Sequence, residues 1–243
     1  MSKLKYFLFT AFWCVNLADL SAQYTTTGLD LDGDMAAWYD AAIGQEKSPV
    51  LEGTFYKLEH AALDKNPYFK GAHWANGHLT FNGQSYDQVS LLYNAFRNLL
   101  LIRNTALQLS SIEPTLLNQQ KVDGFTIHDR QFVHLRDSLA PSHGPGFYEK
   151  FYDGDSIQFY IKRIKNEYIR ANRVEFVDED RFYLFDGQKY TKFANKNTLY
   201  KTFPEIKAEL KAYGSSLKTN LKRGDEEGVL KLLRYCDNLL MKK

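Results

Sequence analysis

The stretch Phe81-Asn82-Gly83-Gln84-Ser85-Tyr86 (FNGQSY) sets an Asn-Gly pair between two aromatic residues. A two-residue type I′ hairpin needs positive φ at both central positions, and Asn-Gly meets that need with little strain. Nearly the same pattern returns as YDGDSI at 152–157 and FDGQKY at 185–190, so Asp153-Gly154 and Asp186-Gly187 read as the same kind of turn. Asp123-Gly124, ahead of FTIHDRQF, offers a fourth. The intervals are unequal, which argues for one hairpin grammar used several times and against a strict propeller or solenoid repeat.

Outward from these turns lie short aromatic and β-branched runs. They predict strands at 54–58, 78–81, 85–93, 99–103, 125–128, 131–136, 147–151, 156–164, 174–177, 181–185 and 189–193. An aromatic fraction of 15%, from 17 Phe and 16 Tyr among 243 residues, suits the half-buried surface of a pleated sheet. At Lys201 the period changes. In KTFPEIKAELKAYGSSL, Phe203, Ile206, Leu210, Tyr213 and Leu217 step by three and four, with Thr202 as a cap and Pro204 in the first turn. Gly224 marks a break, and from Asp225 a second helix gathers Val229, Leu232, Leu233, Cys236, Leu239 and Leu240 on one face. The expected fold is mainly β (α+β): an antiparallel meander sheet or partly closed barrel at 51–200, with a C-terminal helix pair at 201–243 packed on it.

The N-terminus predicts export. Lys3 and Lys5 precede the apolar run YFLFTAFWCV, and Ser21-Ala22 supplies small residues for cleavage, so 1–22 reads as a signal peptide. The run is too short to span a bilayer comfortably, so no transmembrane segment is expected after cleavage. Cleavage removes Lys3, Lys5 and Asp19 from 31 basic and 29 acidic residues, leaving 29 and 28, net +1. A balance so near zero gives no field for nucleic acid. It also removes Cys14, so Cys236 has no partner for an intramolecular disulfide. Residues 23–50 form a polar lead-in, with MAAWYDAAIG long enough for one short helix.

Three blocks, GHLTFNGQSYDQVSLLYNAFRNLLLI, GFYEKFYDGDSIQFYIKRIK and FYLFDGQKYTKFANKNTLYKTFPEIKAELKAY, resemble a family of uncharacterised exported proteins of Bacteroidetes. The resemblance covers about residues 50–240. It implies export, to the periplasm or beyond the cell, and a β-rich fold with a helical tail. It implies no catalytic residues. Asn94 and Asn98 stand where that family's pattern has aspartates, which weakens a carboxylate site there.

The polar residues form no coherent catalytic set. Asp30, Asp32 and Asp34 alternate in LDLDGD, but an EF-hand loop counted from Asp30 would need its glycine at the sixth position and a glutamate at the twelfth, where Ala41 stands. His128 and His134 share strand parity but lie too far apart along an extended chain for one ion. His73 and His78 straddle GAHWANGH, with Asp129 or His60 able to join them only through tertiary contacts. Ser142-His143 sits in a Pro/Gly loop without a nucleophile elbow. Asp178, Glu179 and Asp180 read as a turn, and Cys236 as a buried structural thiol. Lys162, Arg163, Lys165, Arg170 and Arg173 cluster beside Tyr160 and Tyr168. That is either a surface for phosphate, anionic glycan or lipid, or a long edge strand blunted by charge. No cofactor and no metal is expected. The functional expectation is an exported, non-enzymatic binding or structural module of the cell envelope, whose partner is a protein, glycan or lipid. The alternatives are an envelope hydrolase using histidines and carboxylates, and a lipocalin-like carrier of an apolar ligand.

Overall fold

In the computed structural model, which describes residues 53–103, 114–136, 140–221 and 224–242, Asn82 and Gly83 join two paired strands with φ of 53° and 79°. Phe81 pairs with Gln84 across them, so the connection has the two positive-φ residues of a type I′ hairpin. The strands in chain order are β1 (Thr54–Phe55), β2 (Ala75–Phe81), β3 (Gln84–Asn94), β4 (Leu99–Arg103), β5 (Thr115–Leu116), β6 (Val122–Ile127), β7 (Arg130–Leu135), β8 (Gly146–Asp153), β9 (Gln158–Lys162), β10 (Lys165–Arg170), β11 (Arg173–Asp178), β12 (Arg181–Phe185) and β13 (Tyr190–Lys192). Eleven of them form one antiparallel sheet in the order β1-β5-β4-β3-β2-β6-β7-β8-β9-β12-β13. The sheet does not close: β1 and β13 are its two ends. β10 and β11 stand apart as a two-stranded ribbon.

Bulges shape this sheet. Between Gly77 and Leu79 on β2, two steps are matched by three on β3, from Val89 to Tyr86. The extra residue is Gln88, at φ 54°, and it resets the alternation so that Tyr86, Val89, Leu91 and Tyr93 all reach one core. In that core Phe125 stacks on Phe132 at 4.7 Å, while Phe69, Tyr93 and Phe147 meet this pair edge-on or tilted at 5.2–5.4 Å. Leu92 and Leu101 face the other way with Tyr68, so β3 and β4 are covered on both sides.

The C-terminal helices cover one face of the sheet's other half. They are α1 (Asn197–Thr202), α2 (Lys207–Gly214) and α3 (Glu226–Leu240), with a 3₁₀ turn, Pro204–Ile206, between the first two. Val229, Leu232, Leu233 and Cys236 of α3 pack with Phe159, Ile161, Phe182 and Leu184. Tyr148, Tyr160 and Tyr183 alternate onto the opposite face. Asp237 is nine-tenths buried or more on α3 and accepts hydrogen bonds from Tyr152 Oη (2.9 Å) and from the backbone N–H groups of Asp155 (3.2 Å), Ser156 (2.8 Å) and Ile157 (3.1 Å). One carboxylate thus clamps the β8–β9 loop to the helix.

Several sequence expectations change. Asp153 pairs with Gln158 across a four-residue loop, and neither Asp153 nor Gly154 has positive φ. Gly154 is needed instead because a Cβ there would lie 2.3 Å from Asp237 Oδ2. At Asp186-Gly187 only the glycine has positive φ, 86°, and the aspartate carboxylate accepts the N–H groups of Gln188 and Lys189. Gly124 lies inside β6 and Asp123 is a bulge residue, bonded to Gly83 N at 2.8 Å. The additional two-residue turns are His128-Asp129 and Ala171-Asn172, all four with positive φ and none a glycine. Thr202 ends α1, donating to Thr198 O at 2.9 Å, and does not cap a helix; helical structure begins at Asn197 and not at Lys201. Neither β5 nor β10 was anticipated. The expected signal peptide at 1–22, the expected lead-in at 23–50 and the Asp30, Asp32, Asp34 run lie outside the described residues.

Candidate functional site

The basic cluster expected on one edge strand is divided among four settings. Lys162, at the end of β9, is 4% exposed. Its Nζ donates to Asn98 Oδ1 at 3.2 Å and lies 4.5 Å from the centre of the Tyr148 ring. Burial with no carboxylate partner pushes its pKa down to about 8. Arg163 is the hub of an ion network. It donates from Nε to Glu149 (2.6 Å), from Nη1 to Asp180 (2.6 Å) and from Nη2 to Glu226 (3.4 Å), while Arg130 bonds Glu149 (3.1 Å) and Glu226 (2.7 Å). Burial works against the Arg163 charge, but Glu149 and Asp180 outweigh it and raise its pKa. At Asp180 burial prevails over Arg163 and holds the carboxyl above its usual value. Lys165 pairs with Asp178 at 3.2 Å. Arg170 and Arg173 alone are exposed, flanking the tip of the β10–β11 ribbon. The five do not form one surface.

The acidic run is paired in the same way: Asp178 with Lys165, Asp180 with Arg163, and Glu179 with Arg181 at 3.5 Å, Glu179 also accepting a hydrogen bond from the Tyr168 hydroxyl. The histidines are dispersed. His78 Nδ1 bonds Asp87 at 2.7 Å, His134 Nδ1 bonds Val122 O at 2.9 Å, His60 packs on Phe176, and His128 sits in the β6–β7 turn against Phe69. His143 follows Ser142 in the loop before β8, where burial and then the Lys162 and Arg181 charges lower its pKa. Among the described residues no three His, Cys, Asp or Glu side chains group to hold a metal ion, and no helix is long and apolar enough to cross a membrane. Cys236 is buried, and burial pushes its thiol up to about 12.

A concavity that the sequence did not suggest lies where β13 meets α1 and α2. Its volume is about 520 Å³, within the range of ligand sites. Thr191 and Lys192 of β13, Lys201 and Thr198 of α1, and Lys207 and Lys211 of α2 line it, with no Asp, Glu or Arg on its wall. Lys207 and Lys211 are one helical turn apart and share a face; Glu209, two residues from each, is turned to the other side. All four lysines are exposed. The lysine ion pairs of the described residues engage Lys65, Lys150, Lys165 and Lys231, none of them on this wall. Local polar bonds hold the rim: Asn195 Oδ1 accepts from Asn197 N at 2.9 Å, and Thr198 Oγ1 from Ala194 N at 3.3 Å. The Lys207/Lys211 spacing opposite the apolar stripe of α2 was the available sequence signal. The apolar periodicity of that helix marks only its other face. No protein-family model, curated protein or solved structure matches this chain.

Proposed function

We propose that this chain is an exported, non-enzymatic binding module that takes an anionic group in the lysine-ringed concavity. The observation that carries the reading is the wall itself: four cations from three elements, no carboxylate among them, and, among the described residues, no ion pair engaging any of them. Arg163 by contrast is matched by Glu149, Asp180 and Glu226, whereas four cations gathered on one wall without an acid give this patch a local positive field despite a near-zero net charge. The interior is filled by interlocked rings, which favours a surface site over an internal one. Export rests on the N-terminal pattern of Lys3, Lys5 and the apolar run, and mass spectrometry of the cell-derived N-terminus tests it: a chain retaining Met1 would remove that part.

Titration calorimetry with pyrophosphate and with sulfated dextran tests the site. Binding should weaken as salt rises, and Lys201→Gln with Lys207→Gln should weaken it by about tenfold or more, since each lost cation contact removes roughly 1 kcal/mol. Equal binding by the wild type and the double variant would place the anion elsewhere and overturn the assignment.

A further inference from the structure

Resting on that anionic-site reading, we propose that the concavity and the open edge of β13 together receive an extended, acidic protein segment as an added strand. β13 ends the eleven-stranded sheet, with β12 on one side and no strand of the described residues on the other. Phe193 donates its N–H to Phe182 O at 2.8 Å, and Lys189 O accepts from Asp186 N at 3.4 Å. Odd-numbered residues therefore bond inward to β12. The alternation of an antiparallel pair turns the N–H and C=O groups of Tyr190 and Lys192 to the open side. Those groups are what a docking strand uses.

The lysines decide which strand is admitted. A second copy of this edge would bring its own set of wall lysines up to these, the kind of charge that keeps sheet edges from pairing with themselves. An acidic strand meets the opposite situation. Its side chains alternate, recurring on one face about every 7 Å, and those facing the concavity enter a wall of lysines with no competing acid. All four cations are lysines, mobile point charges without the planar fork of arginine. They suit carboxylates spaced along a backbone, whose position is fixed by the strand pairing itself.

Fluorescence anisotropy with a short labelled peptide alternating glutamate and valine tests this, beside a twin N-methylated on the amides that would face β13. The expected result is binding by the first peptide, competition by pyrophosphate, and binding by the twin about tenfold weaker or less, the effect of losing one or two backbone hydrogen bonds. Equal binding by both peptides would show charge without strand addition and overturn the inference. Pyrophosphate or sulfated dextran binding while the peptide does not would also overturn it, leaving the anionic site standing with a non-protein ligand. If none of these probes binds, both readings fall.

Discussion

A Cβ built at Gly154 falls 2.3 Å from Asp237 Oδ2, whereas at Gly83 it meets nothing within 4 Å. Gly83 is held to glycine by its φ of 79° and Gly154 by the close approach of a carboxylate. The two substitutions should therefore behave differently in urea denaturation. Gly83→Val should lose about 1–2 kcal/mol through backbone strain alone, independent of other sites. Gly154→Ala should displace Asp237 from its four donors and lose about 2–3 kcal/mol. The loss should shrink by more than half when Asp237→Ala is already present, because the two residues are coupled. Additive effects would show that the carboxylate is not what excludes the methyl group. The dipeptide alone shows that a glycine is required; it does not show whether φ or a neighbour requires it. Asn82-Gly83 was legible because its reason is local, and Gly154 was not because its reason lies on a helix more than eighty residues away in the chain.

At the scale of elements, α3 is fixed to the sheet twice. Glu226 in its first turn meets Arg130 and Arg163, and Asp237 near its other end grips the β8–β9 loop, with the apolar stripe between. The stripe was readable from its three-and-four spacing, but the fixings were not, since each needs partners from distant strands. Asp237, interrupting that stripe, was the one visible sign. Arg163→Met should cost about 3–5 kcal/mol, because it strips one partner from Glu149, which is 1% exposed, and from Asp180. Glu226→Gln should cost about 1 kcal/mol or less, since that carboxylate is one-third exposed and screened by water. Equal, small losses from both would mean that solvent screens the whole network. β10 escaped notice for the complementary reason. KNEYIR is mostly exposed in a ribbon with little buried face, so it carries no alternation to read.

Across the whole molecule, titration of buried groups sets a pH profile with opposing slopes. The Lys162 pKa falls from the ordinary 10.5 to about 8 in the folded chain. Between those values the unfolded state binds the extra proton, so this group makes stability rise with pH; its folded-state penalty, about 3 kcal/mol, is complete below pH 8. Cys236 and Tyr68, both raised to about 12 by burial, act the other way. Their contribution is complete below their ordinary values, 9.0 and 10.0, and is lost as pH climbs toward 12. The wild-type curve therefore mixes the terms above pH 9, but the difference between wild type and Lys162→Met cancels the thiol and the phenols. Methionine keeps most of the stem's volume over Tyr148 and gives up the bond to Asn98. Urea titrations should find Lys162→Met more stable at pH 7 by about 2 kcal/mol, the burial penalty less one hydrogen bond. That advantage should close as pH rises from 8 toward 10.5, where the folded lysine has shed its proton and the unfolded one is shedding it. A gap that stays constant across that interval would mean that Lys162 reaches water in solution, and that the cation over Tyr148 is not a burden on this fold.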